Sequence, residues 1–338
     1  MLRLDDSWVW DYWVAEDDEG FHAFYLKAPR VLGDPHLRHW HARIGHAFSS
    51  DLVTWTPLPD ALGAGPPGTF DDMATWTGSI VRDDAGVWRM FSSGVSTVGD
   101  GRVQRIGSAR SRDLVTWERD PFVLAPDARW YEVEPGADWH EEAWRDPWVF
   151  RDPDAGGWRM LITARSRTGE PAQRGVVGTA VSHDLETWRV EPPLSAPDSG
   201  FGQLEVAQTY DVDGHVFLLF SCLRGELAGA RAGAEGGIWV VNAPSLSGPF
   251  DISGAYRLTD ESLYVGRLVR TPGGSWALMA FRNTAPDGSF VGELADPAPV
   301  TIEHGRLTIA DRDHPAFPSE HDHPAFPSEH DHPGEGAS

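Results

Sequence analysis

The chain has almost no cysteine, little positive charge and no long apolar run. Cys222 is its one cysteine, so no internal disulfide can form and nothing indicates an oxidising compartment. Phe220, Ser221 and Leu223 surround it in a strand-like run, where a thiol reads as core packing rather than as a nucleophile. Lys and Arg number 28 against 51 Asp and Glu, a formal charge of −23. That balance argues against nucleic acid and lipid headgroups as partners, and in itself it serves solubility. No stretch approaches the roughly 18 apolar residues of a membrane span. Met1-Leu2-Arg3-Leu4-Asp5-Asp6 carries no apolar leader core, so a cytoplasmic location is expected. Helical periodicity is nearly absent.

Repetition is what the chain has instead. Ser50-Asp51-Leu52-Val53-Thr54-Trp55, Arg112-Asp113-Leu114-Val115-Thr116-Trp117 and His183-Asp184-Leu185-Glu186-Thr187-Trp188 share the pattern Asp-Leu-x-Thr-Trp. Each follows a short alternating run (Ile44 to Phe48, Ile106 to Ala109, Val177 to Val181) and reads as a turn into an outer edge strand. Apolar second strands begin near Phe21, Val87, Trp158, Val216 and Trp276, about sixty residues per unit. Four short strands recurring at this period predict an all-β fold, a single five-bladed β-propeller with a central funnel, over residues 1–310. Most of the sixteen tryptophans are expected in its core. Ser247-Gly248-Pro249-Phe250 stands where the fourth Asp-Leu-x-Thr-Trp would be. Gly-rich 225–237 reads as a loop between blades and not as a nucleotide-binding loop. The tail from residue 311 is His- and Pro-rich, with the nonapeptide at 314–322 repeated at 323–331; it is too polar to bury a core, and disorder is expected there.

Three acids stand before these second strands: Asp11 ten residues ahead of Phe21, Asp146 twelve ahead of Trp158, and Glu205 eleven ahead of Val216. Equivalent positions in a propeller converge on the axis, so the spacing predicts three carboxylates in one central site. There they raise one another's pKa, which costs stability and suits acid–base chemistry. Taken singly, Asp11 could be a turn or cap residue, and Arg145 could simply pair with Asp146; the recurrence of the acids favours a site. Asp51, Asp113 and Asp184 recur in three blades and read as structural. Glycosidic cleavage takes one carboxyl as acid and another as nucleophile or base. Zinc would want His or Cys beside the acids; no metal and no cofactor is assigned, though a hard Ca²⁺ could sit in the channel.

The motifs resemble the fructose-processing glycoside hydrolases, families 32 and 68. Val9-Trp10-Asp11-Tyr12-Trp13 is similar to the Trp-Asp-x-Trp segment of family 68. Gly45-His46-Ala47-Phe48-Ser49-Ser50-Asp51-Leu52 is similar to a family 32 stretch. Trp76-Thr77-Gly78-Ser79 and Arg145-Asp146-Pro147 resemble segments of both. The Asn-Asp-Pro-Asn sequence of family 32 is absent, and its Glu-Cys becomes Glu205-Val206. The resemblance implies a retaining enzyme with Asp11 as nucleophile, Glu205 as acid and then base, and Asp146 as transition-state stabiliser. It also implies that Arg145, Trp10, Trp76 and Thr77 bind the sugar. Apolar neighbours Leu204, Val206 and Ala207 are expected to raise the Glu205 carboxyl pKa. Glu132, Glu134, Glu141 and Glu142, in the polar loop 130–143 that should rim the funnel with Trp139 and His140, are rival acids.

The expected substrate is a short β-fructofuranoside such as sucrose or a small fructo-oligosaccharide. Three alternatives stand beside it: an inverting arabinofuranosidase or xylosidase of the family 43 kind, a fructosyl transferase, and a sugar-binding propeller without catalysis. Carboxyl groups about 5–5.5 Å apart imply retention, and about 6.5–9.5 Å inversion.

Overall fold

The computed structural model describes residues 1–133, 139–154 and 156–310; the tail from 311 lies outside them. Blade one is Ser7–Glu16, Phe21–Pro29, Arg43–Ser49 and Thr56–Leu62 (β1–β4). Blade two is Ala74–Arg82, Trp88–Val95, Gln104–Ser111 and Glu118–Leu124 (β5–β8). Blade three is Trp144–Asp152, Gly157–Arg165, Gly175–Ser182 and Arg189–Glu191 (β9–β12). Blade four is Glu205–Val212, His215–Cys222, Gly237–Asn242 and Tyr256–Arg257 (β13–β16). Blade five is Leu263–Arg270, Trp276–Thr284, Phe290–Leu294, Ala298–Glu303 and Arg306–Ile309 (β17–β21). Each blade is an antiparallel sheet whose strands follow chain order, with β19 set beside β18. The five expected second strands thus begin within a residue of their predicted starts.

Neighbouring inner strands touch in sequence around the axis, and β1 meets β17 and β19 to complete the ring. Leu2 and Leu294 bridge across that seam. The core lies between blades: Phe91 and Ile106 of blade two pack with Val149 and Met160 of blade three, for example. Burying each sheet face against the next blade is what the alternating apolar strands require.

The Asp-Leu-x-Thr-Trp turn has a physical explanation. Asp113 Oδ1 accepts the N–H groups of Val115 and Thr116 at 2.9 and 2.7 Å, and Asp51 and Asp184 repeat the pattern. The leucine stands in the left-handed region (φ 65°, 60° and 64° at Leu52, Leu114 and Leu185), where its side chain is buried. The tryptophan staples blades together. Trp117 packs edge-on against Phe24 of blade one, and Trp188 against Phe91 of blade two. In blade four, Ser247 to Phe250 fills the turn between β15 and β16, with Phe250 buried. The Gly-rich 225–237 stretch joins β14 to β15 inside blade four, so it is not the interblade loop the sequence suggested. Cys222 is buried and free.

Candidate active site

All five inner strands carry the same irregularity. Between Tyr264 and Arg267 the inner strand advances three residues while its partner advances two, from Phe281 to Met279. The same extra residue occurs after Trp10, Thr75, Arg145 and Glu205. Such a bulge bends the strand and re-aims a side chain, here into the axial funnel. The extra residue leaves a buried N–H outside the ladder, which must find an acceptor. In blades three, four and five a hydroxyl on the second strand of the preceding blade supplies it. Ser93 Oγ accepts from Asp146 N at 2.8 Å, Thr163 Oγ1 from Val206 N at 3.0 Å, and Ser221 Oγ from Val265 N at 3.0 Å. These are the three inner-strand residues at positive φ (58°, 52° and 50°).

The register corrects one sequence expectation. Asp11 and Asp146 occupy the bulge itself. Glu205 is the last paired residue before its bulge, in step with Arg145 and Tyr264 rather than with Asp146. The repeat therefore does not bring the three acids to one equivalent position. They nonetheless line one cavity of about 400 Å³, together with Trp10, Trp76, Thr77 and Arg145, a size suited to a small ligand.

Asp11 accepts a hydrogen bond from Thr77 Oγ1. Burial, helped by the charge of Glu205, raises its carboxyl to about 6, against the opposing Thr77 bond and the Arg267 and Arg38 charges. Asp146 accepts from Thr163 Oγ1 at 2.8 Å and from Val206 N at 3.3 Å. Burial drives it up to about 7; Arg145 opposes that shift, and Asp11 and Glu205 add to it. The mutual repulsion expected of the cluster is present, but desolvation outweighs it.

Arg145 is the hub. Its guanidinium donates to Glu205 Oε1 at 2.7 Å, Glu141 Oε1 at 2.8 Å, Gln104 Oε1 at 3.3 Å and Gln203 Oε1, with Nε 3.5 Å from Asp146. The carboxylates around it hold it well above the ordinary arginine range despite burial. Glu205 Oε2 accepts from the Tyr264 hydroxyl. Leu204, Val206 and Ala207 are buried, but the partners of the Glu205 carboxylate are Arg145 and Tyr264. Trp76 is fixed by Nε1–H donating to His39 O at 2.7 Å. Of the rival acids, Glu132 pairs with Arg165 and Arg174 and Glu142 with Arg105, which commits them to structure. Glu141 lines the cavity beside His140, Trp139 packs under Arg165, and Glu134 lies outside the described residues.

Several residues of the site come from loops or later blades and escape a reading of the sequence alone. Arg38 and His39 lie on the 3₁₀ turn Pro35–His41. Burial pushes Arg38 down to about 10 and His39 to about 3, so the imidazole facing the cavity is neutral. Arg267 is buried on β17, with Nη2 donating to Gly78 O at 3.1 Å. Its Nε and Nη1 have no partner among the described residues. It sits over Trp148 and near Tyr12 and Tyr210. Arg267 and Trp148 are the first paired residues past their bulges, as Tyr12 and Gly78 are past theirs. The cation therefore belongs to the layer next to the acids, and its field reaches both aspartates. Among the described residues no group of three or more His, Cys, Asp or Glu side chains could hold a metal ion. The carboxyl groups are therefore spread around a space and not gathered on a point.

Residues 14–231, nearly two thirds of the chain, match the glycosyl hydrolases family 32 N-terminal domain. The chain belongs to this family. The match begins just after Asp11. The chain is 26% identical to the sucrose-6-phosphate hydrolase of Escherichia coli, across 60% of this chain and 39% of that protein. It thus spans about two fifths of that relative's length. It is 23% identical to the extracellular sucrase of Zymomonas mobilis, over 88% of this chain and 79% of the relative. Among solved structures, an inulosucrase from Halalkalicoccus jeotgali bound to kestose superposes with a TM-score of 0.76 at 24% identity, covering 91% of this chain and 90% of that one. A levansucrase from Gluconacetobacter diazotrophicus gives 0.70 at 20% identity, covering 91% and 81%. At these identities the structural likeness establishes the propeller fold.

Proposed function

We propose that the chain is a retaining glycoside hydrolase acting on short β-fructofuranosides, with sucrose the first substrate to try. The observation that carries this reading is the placement of Asp11, Asp146 and Glu205 around one cavity beside Arg145. Family membership supports it, as do relatives named for sucrose hydrolysis. In this mechanism Asp11 attacks the anomeric carbon while Glu205 protonates the leaving oxygen; Glu205 then takes a proton from the water that releases the sugar. Asp146 and Arg145 hold ring hydroxyls, and the Asp146 carboxyl stabilises the positive charge developing on the sugar. Trp10 and Trp76 wall the sugar, and the Thr77 bond orients Asp11.

Two features of the site bear on this chemistry. As nucleophile Asp11 must be ionised, and its carboxyl at about 6, with that of Asp146 at about 7, places the acid limb of activity between about pH 6 and 7. Glu205 accepts from both Arg145 and Tyr264, which fix the orientation of the carboxyl group that exchanges the proton.

The test is sugar release from sucrose, small fructo-oligosaccharides and aryl arabinofuranosides. Equal glucose and fructose from sucrose is expected. Glucose in excess of fructose would indicate transfer to sugar acceptors, and arabinose release would overturn the fructoside reading.

A further inference from the structure

Glu226 stands on the short turn Arg224–Glu226, which opens the long loop of blade four. Its backbone carbonyl accepts from Gly202 N at 2.8 Å, and its Oε1 accepts from Gln203 Nε2 at 2.9 Å. Gln203 Oε1 in turn receives Arg145, so one hydrogen-bonded chain joins Glu226 to the hub that grips Glu205. The other oxygen, Oε2, is buried and has no partner among the described residues, yet Glu226 lines the cavity. A buried carboxyl oxygen left without a partner is costly, and such a group calls for an explanation.

That hydrogen-bonded chain locates Glu226: it reaches Arg145 through Gln203, and Arg145 holds Glu205, so Glu226 stands on the acid's side of the cavity. In a glycosidase that is the side on which the leaving group sits. Burial, with the repulsion of Glu205, lifts the Glu226 carboxyl to about 8. That shift favours the protonated form, which offers an O–H as well as lone pairs. No sequence motif of the loop marks Glu226.

Resting on the fructoside reading above, we propose that Glu226 is a specificity residue of the leaving-group side, its free Oε2 exchanging a hydrogen bond with a hydroxyl of a sugar leaving group. The site then favours substrates whose leaving group is itself a polyol over those that release a simple alcohol. The residue acts as a neutral hydrogen-bonding group, so Gln should substitute for it and an apolar side chain should not.

The experiment compares kcat/KM for sucrose with kcat/KM for methyl β-fructofuranoside, in the full chain and in E226Q and E226L. The proposal expects the sucrose-to-methyl ratio to fall by about tenfold in E226L, the scale of one lost hydrogen bond. E226Q should restore most of that ratio. Equal losses on both substrates would reduce Glu226 to a structural prop for Gln203 and overturn the proposal. So would an unchanged ratio, or an E226Q as impaired in the ratio as E226L. If E226L does not fold, E226A carries the same comparison. A wild-type chain inert on both fructosides defeats the fructoside reading itself, a result distinct from any of these.

Discussion

Asp113 and Asp146 sit in adjacent blades at opposite ends of the strand order, and their surroundings push them in opposite directions. Asp113, exposed at the outer turn of blade two, collects backbone N–H bonds from Thr116 and Val115 and the Ser111 hydroxyl, and its carboxyl falls to about 2. Asp146, buried at the inner bulge of blade three, rises to about 7. Asp51 and Asp11 repeat the contrast within blade one, at about 2 and about 6. The outer aspartates are ionised caps that hold turns. The inner ones are carboxyl groups poised near neutrality, which suits proton transfer and costs stability. Radius within the blade decides the role; residue type does not.

The largest break in that contrast comes from exchanging the residues for Ala. D11A, D146A and E205A should each lower kcat/KM on sucrose at least about a thousandfold, while D113A leaves activity per folded molecule within about twofold. Steady-state kinetics normalised to folded protein checks both halves. A thousandfold loss in D113A would erase the distinction.

Arg267 sharpens it next. Its charge opposes the rise of Asp11, so removing that charge should move the acid limb of the pH–kcat/KM profile upward by about one unit in R267M. R267K should return the limb towards its original place. A purely packing role for Arg267 would lower activity without moving the limb.

Stability gives a smaller effect of opposite sign at the two radii. Asp11 and Asp146 have folded pKa values above the unfolded value of about 3.9, so between those values the native state binds protons that the unfolded chain does not. Their charged forms therefore cost stability at pH 7 and above, and the cost fades as pH falls through about 7 and 6 towards 4. D11N and D146N should raise the melting temperature at pH 8, by the equivalent of about 1–3 kcal/mol, with the gain vanishing near pH 4. D113N, losing an anionic acceptor for two N–H groups, should cost roughly 1 kcal/mol at pH 8, the scale of a lost cap. Thermal unfolding of the three variants across pH 4–8 is the check.

Much of this is readable in the residues alone. The Asp-Leu-x-Thr-Trp turns and the apolar second strands, read by alternation and spacing, give five blades and the acids of three inner strands. The bulges escape because one extra residue in a strand leaves no mark in hydrophobic alternation. That is why spacing aligns Glu205 with Asp146 when its register partner is Arg145. A signal is there in retrospect: Ser93, Thr163 and Ser221 put a hydroxyl near the end of three successive second strands, each awaiting the N–H of the next blade's bulge. Glu226, Arg38 and His39 come from loops whose course depends on packing between blades, and Arg267 comes from the fifth blade, where the repeat is weakest. Their convergence is a property of the closed ring, which no local window of sequence contains.

The most direct test of the account is covalent trapping. E205Q is given an activated fructosyl donor whose leaving group needs no protonation; the chain is quenched with acid, and its peptides are weighed. The account predicts a fructosyl adduct on the peptide holding Asp11, absent from a D11N/E205Q double variant, because an amide in place of the Glu205 carboxylate cannot activate the water that would release it. Product of inverted anomeric configuration with no adduct on Asp11 would contradict the account and make Asp11 a base for water instead of the nucleophile.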